Sequence, residues 1–61
     1  MYNLYYDDAG VEIFVGEVLT NEALTVDEML NLVSFDESSF KRENGFDEID
    51  YNEFYVRYVG E

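Results

Sequence analysis

Carboxylates are the side chains on which any chemistry of this chain must rest. Fifteen of its 61 residues are Asp or Glu and only three are Lys or Arg, and His and Cys are absent. Without imidazole or thiol, the commonest general base, the thiolate nucleophile and Cys–His metal sites are all missing. Ser34, Ser38 and Ser39 have no recognisable base beside them in sequence. Two carboxylates can serve as acid and base, but in a chain this acidic such pairs arise by chance. The expectation is a protein that is not an enzyme and carries no cofactor.

Glu48-Ile-Asp-Tyr-Asn-Glu-Phe54 looks like the second half of an EF-hand calcium loop, in which an isoleucine precedes an aspartate and a glutamate closes the site. With Glu53 in the closing position, Arg42 stands where the first aspartate ligand belongs and Asp47 where the glycine belongs. Asn44 alone fits among the early ligands. A degenerate calcium module is therefore the third of three readings.

Charge supports the first. The net charge is −12. A folded chain of this size has a radius of gyration of roughly 10 Å and a length of about 25–30 Å. Twelve charges over that length is about one per 2 Å, near the roughly 1.7 Å per charge of duplex DNA. Solubility needs a net charge of only about 2–8 on a small domain, and this much like charge opposes compaction. Carboxylates on one strand face lie roughly 6.6 Å apart, and i,i+4 neighbours on a helix about 5–6 Å, spacings that resemble those of neighbouring phosphates. The expected partner is a basic DNA-binding protein or nuclease, whose Lys and Arg would meet this array. The candidate phosphate surrogates are Asp27, Glu28, Asp36, Glu37, Asp47, Glu48, Asp50 and Glu53. Direct nucleic-acid binding is not expected. The second reading is an acidic interaction or immunity-type module that binds a basic partner without imitating DNA. A solvated acidic exterior is the plain alternative to both, although such surfaces ordinarily mix signs.

These carboxylates need a scaffold. The most regular stretch is Thr25–Val33, where Val26, Met29, Leu30 and Val33 fall on one helical face. Thr25 and Glu28 have the spacing of a capping box, and Leu24 and Met29 that of a hydrophobic staple. Upstream, Tyr2–Tyr6 and Val11–Val18 read as a β-hairpin around an Asp7–Gly10 turn. Val11, Ile13 and Val15 share one face, and Gly16 marks a bulge or a close backbone approach. Downstream, Ser34 and Glu37 offer a second capping box, and Asn44-Gly45 a stop, for a short helix over 35–43. An acidic loop at 46–52 leads to a third strand, Phe54–Val59. The fold expected is α+β, ordered β-β-α-(α)-β: a three-stranded antiparallel sheet with one main helix, and the short second one, on one face. Residues 1–61 form a single small acidic domain.

A domain this small buries only about 60% of its unfolded surface. Its eleven aromatic residues are the obvious source of core area. Outward-facing tyrosines or a sheet edge would also suit a homodimer. No apolar run approaches the roughly 20 residues of a membrane span, and no secretory leader is visible. A cytoplasmic protein without a membrane partner is expected.

The hairpin containing Phe14–Glu17, the capped acidic helix at Thr25–Leu30 and the acid-plus-aromatic segment Phe46–Tyr55 together resemble phage and mobile-element DNA mimics, in particular the first domain of the ArdA antirestriction proteins. The resemblance implies a phage protein in host–virus interaction, an antirestriction or anti-CRISPR type of inhibitor occupying the DNA groove of a host defence or DNA-handling protein.

Overall fold

A computed structural model of the chain describes residues 1–60. The alternation of the first eighteen residues produces strands β1 (Tyr2–Asp8) and β2 (Val11–Val18), antiparallel and in register from Tyr2↔Val18 to Asp8↔Val11. β1 runs two residues past the expected Tyr6. The turn itself is only Ala9-Gly10, both at positive φ (50° and 93°), which suits the right-handed twist of a two-residue hairpin. Asp7 supports it by accepting the Gly10 N–H at 2.8 Å.

The last strand, β3 (Phe54–Tyr58), pairs antiparallel with β1 rather than β2, giving the order β2-β1-β3. The sheet and two helices make an α+β fold. β1 is thus central, and Leu4 at its middle is fully buried.

Both expectations for Gly16 hold. The β1–β2 register shifts between Leu4 (opposite Gly16) and Tyr5 (opposite Phe14), leaving Val15 as the extra residue of a bulge. A Cβ on Gly16 would stand 3.0 Å from Val33 Cγ1, so the glycine also lets the end of the first helix approach the sheet.

That helix, α1, spans Val26–Leu32 and opens with the expected capping box: Thr25 Oγ1 accepts the Glu28 N–H at 3.2 Å, and Glu28 Oε1 accepts the Thr25 N–H at 2.9 Å. Met29 and Leu30 carry its buried face. It ends where Ser34 takes the left-handed conformation (φ 54°), with Ser34 N–H bonded to Asn31 O and Phe35 N–H to Leu30 O. This is a Schellman stop with serine in the usual glycine position.

The second helix therefore starts later than 35. Ser34 terminates α1 and is not available as the next N-cap. Asp36 takes that role by accepting the Ser39 N–H, and α2 spans Glu37–Asn44. Gly45 (φ 73°) ends it as expected, with Phe46 N–H bonded to Lys41 O at 2.8 Å. At eight residues against seven, α2 is no shorter than the helix expected to dominate. It buries no residue completely, but Phe40 packs its ring on Tyr6 at 5.4 Å. Inside the acidic loop, Tyr51–Glu53 form a 3-10 turn capped by Asp50.

Leu4, Tyr6, Val18, Met29, Leu30 and Phe54 make the core, with both helices on the same side of the sheet. Around it Tyr6, Phe35, Phe40, Phe46 and Phe54 have ring centroids 4.9–6.2 Å apart, within the range in which each aromatic pair contributes about 0.5–1.5 kcal/mol beyond its buried area. Among the described residues, no helix is long and apolar enough to cross a membrane.

Candidate functional site

The eight candidate carboxylates separate according to what holds them. Glu28 accepts from both the backbone and the hydroxyl of Thr25. Asp36 accepts the Ser39 N–H at 3.3 Å and its hydroxyl at 2.9 Å. Glu37 accepts the Tyr51 hydroxyl at 2.7 Å and pairs with Lys41 at 3.2 Å. Each bond favours the ionised form, so the carboxyls of Glu28 (bonded chiefly by the Thr25 backbone), Asp36 (by the Ser39 hydroxyl) and Glu37 (by Tyr51) lie below the ordinary carboxylate range. Asp50 accepts the Asn52 N–H at 2.9 Å. Asp27, Asp47, Glu48 and Glu53 are exposed.

Tyr51 is the point of convergence. Its phenol is pushed up to about 12, first by the bond to Glu37, then by burial and the negative charges of Glu37 and Asp27. The starts of α1 and α2 therefore bring Asp27 and Glu37 to Tyr51, beside an open hollow of about 240 Å³ lined by Asp27, Leu30, Asn31, Phe35 and Tyr51. Asp50, one residue before Tyr51, is tied to the core, because its N–H donates to the hydroxyl of buried Tyr6 at 3.0 Å. Since Phe54 pairs with Tyr6, Asp50 and Glu53 also lie towards the hairpin-turn end of the sheet, which carries Asp7 and Asp8.

The remaining candidates point elsewhere. Asp36 borders an open groove between β2 and α2 that Glu43 also lines. Glu28 borders a third hollow with Glu22, Leu24, Asn31 and Leu32. The eight thus lie on several faces and form no single row. Among the described residues no three carboxylates converge as metal ligands, and Asp50, central to the EF-hand likeness, is engaged in capping the 3-10 turn.

One face was not singled out by the sequence. The side of the sheet opposite the helices carries Tyr5 between Phe14 and Tyr55, with ring centroids 5.9 and 5.5 Å away. Arg57 lies over the Tyr5 ring, 5.1 Å from its centroid. Glu12 accepts from the Tyr55 hydroxyl at 2.5 Å and from Arg57 at 2.8 Å. The Tyr55 bond, more than Arg57, holds Glu12 below its ordinary value, and the same bond pushes Tyr55 up to about 12. The period-two alternation of Asn3, Tyr5 and Asp7 was the available signal, but the bulge at Val15 disguised the matching set on β2.

All three Lys and Arg side chains stand beside carboxylates: Lys41 on Glu37, Arg57 on Glu12, and Arg42 near Asp36, whose carboxyl its charge helps to lower. No known family matches the chain, and no curated protein or solved structure shows detectable similarity to it.

Proposed function

We propose that this chain is a non-enzymatic DNA mimic, an inhibitor that occupies the DNA-binding site of a host defence or DNA-handling protein in the cytoplasm. The observation that carries this reading is an excess of twelve negative charges on a body measuring 33 × 23 × 17 Å, with all three Lys and Arg side chains already beside carboxylates. A basic partner would meet a surface on which carboxylates far outnumber the Lys and Arg side chains that could oppose it. The hydrogen bonds that lower Glu28, Asp36 and Glu37 support the reading further. They keep these groups charged, as phosphates are, and restrain their positions. Asp27 and Glu37 around Tyr51 are the centre of the proposed surface, Asp50 caps the adjoining 3-10 turn, Asp47, Glu48 and Glu53 are exposed, and Glu28 and Asp36 would meet the partner from other faces.

The outer sheet face favours a second reading. Tyr5, Phe14 and Tyr55 form the kind of aromatic platform enriched in protein interfaces, and a basic partner gripping that face would need no resemblance to DNA.

Competition separates the two. Immobilised protein is incubated with purified restriction, CRISPR and repair enzymes and washed with excess duplex DNA. The mimic reading expects that a bound enzyme is released by DNA, that its affinity falls steeply between about 50 and 200 mM salt, and that replacing Asp27, Glu37 and Asp50 by their amides weakens binding. A partner retained equally with and without DNA overturns it and leaves the aromatic face as the contact.

A further inference from the structure

β2 is an outer strand of the sheet along all eight of its residues, so one row of its backbone N–H and C=O groups has no strand to pair with. Edge strands are commonly blunted by lysine or proline, by other charges or by a bulge; β2 has no lysine or proline, and its protection is limited to Glu12, Glu17 and one bulge. Its bulge lies at Val15, leaving Val11–Phe14 as a regular stretch. Beside this edge runs the groove of about 470 Å³ between β2 and α2. Ile13, Val15, Val33 and Phe40 give it an apolar floor, and Asp36 and Glu43 an acidic rim. Phe14, 57% exposed, stands on the other face of the strand.

An unpaired strand edge pairs with an extended chain, and a groove alongside takes every second side chain of that chain. The acidic rim and the net charge select cations on the incoming segment. A second copy of this chain would bring another −12 to the same edge, so charge disfavours it as the occupant. We infer that the β2 edge and the β2–α2 groove together form a docking site for an extended, basic segment of a partner protein, which joins the sheet as a fourth strand with apolar side chains in the groove and lysines or arginines at its rim. This goes beyond DNA mimicry, with which it shares only Asp36 among the proposed phosphate surrogates.

The probe is a capped hexapeptide of alternating lysine and valine, titrated into the ¹⁵N-labelled full chain. Two versions N-methylated at every second backbone nitrogen, one in each frame, keep the charge but remove one donor row each. Saturable amide shifts are expected along Val11–Val18 and at Val33 and Phe40. One methylated frame should lose at least about tenfold in affinity, the loss of roughly one or two hydrogen bonds. Asp36→Asn with Glu43→Gln should weaken binding while sparing the fold, since asparagine also caps helices. Equal affinity for the parent and both methylated peptides, or shifts confined to Asp27, Glu37 and residues 47–53, would overturn the inference. Neither result depends on displacement of DNA, so the two readings fail separately.

Discussion

Glu12 shows how much a single exposed carboxylate can organise. One of its oxygens receives both the Tyr55 hydroxyl and the Arg57 guanidinium, tying the two outer strands together across Tyr5. The pH consequences follow from both ends of the bond. Glu12 is lowered in the fold, so its contribution is complete above its unfolded pKa and is lost as pH falls through the folded value. Tyr55 is raised to about 12, so its contribution is complete below about 10, the unfolded value, and is lost as pH climbs towards 12. Glu12→Gln should return one phenol from about 12 towards 10 in an ultraviolet titration, leaving the Tyr51 phenol near 12 on Glu37. If the high-pH phenol persists in that variant, Glu12 is not what raises it.

At the scale of elements, the two helices stop in the same way with different residues. Gly45 adopts its left-handed φ of 73° at little steric cost, whereas Ser34 carries a Cβ into the same region at 54°. Ser34→Gly should therefore stabilise the fold by about 0.5–1 kcal/mol after the larger entropy loss of glycine, read as a higher urea midpoint with an unchanged slope. An unchanged or lower midpoint would mean that the Ser34 conformation costs nothing. Gly16 is constrained by space, not by φ. An added Cβ meets Val33 Cγ1 at 3.0 Å and Val33 Cβ at 3.1 Å, and a β-branched side chain has little freedom to turn away. Gly16→Ala should cost about 1–3 kcal/mol, as overpacking does, and should cost less in a Val33→Ala background. Equal cost in both backgrounds would exclude this contact as the cause.

For the molecule as a whole, charge and shape have to be weighed together. The radius of gyration is 11.4 Å and the long axis 33 Å, both above the values expected from chain length. The net charge then averages roughly one per 3 Å along that axis, about half the density of duplex DNA. It is still large for a body only 17 Å thick, because at low salt the Debye length exceeds that thickness (about 30 Å at 0.01 M) and at 1 M it falls to about 3 Å. Added NaCl screens repulsion among twelve excess charges and weakens the two ion pairs found among the described residues, so repulsion decides the sign. The melting temperature should rise with NaCl, and each gain of about 1 kcal/mol would appear as about 4–8 °C. A flat or falling melting temperature would mean that the carboxylates repel one another too weakly to matter.

Local signals determined most of the elements. Aromatic and β-branched residues on either side of the Asp7–Gly10 turn specified the hairpin, and the Thr25–Glu28 spacing specified the start of α1. Gly45 marked the end of α2, and glycine amid β-branched residues marked the irregularity at Gly16. Each is decided within a few residues, where backbone dihedrals, periodicity and capping operate. The start of α2 was missed because Ser34 could serve either helix, and only the two hydrogen bonds closing α1 decide between them. Tertiary structure alone settled that β3 lies beside β1, which leaves β2 as an open edge. It also settled that Tyr51 gathers Asp27 and Glu37, while Glu28 and Asp36 turn to other faces. Those outcomes depend on contacts between residues distant in the chain, and one-dimensional order records a carboxylate's charge but not the direction in which the fold points it.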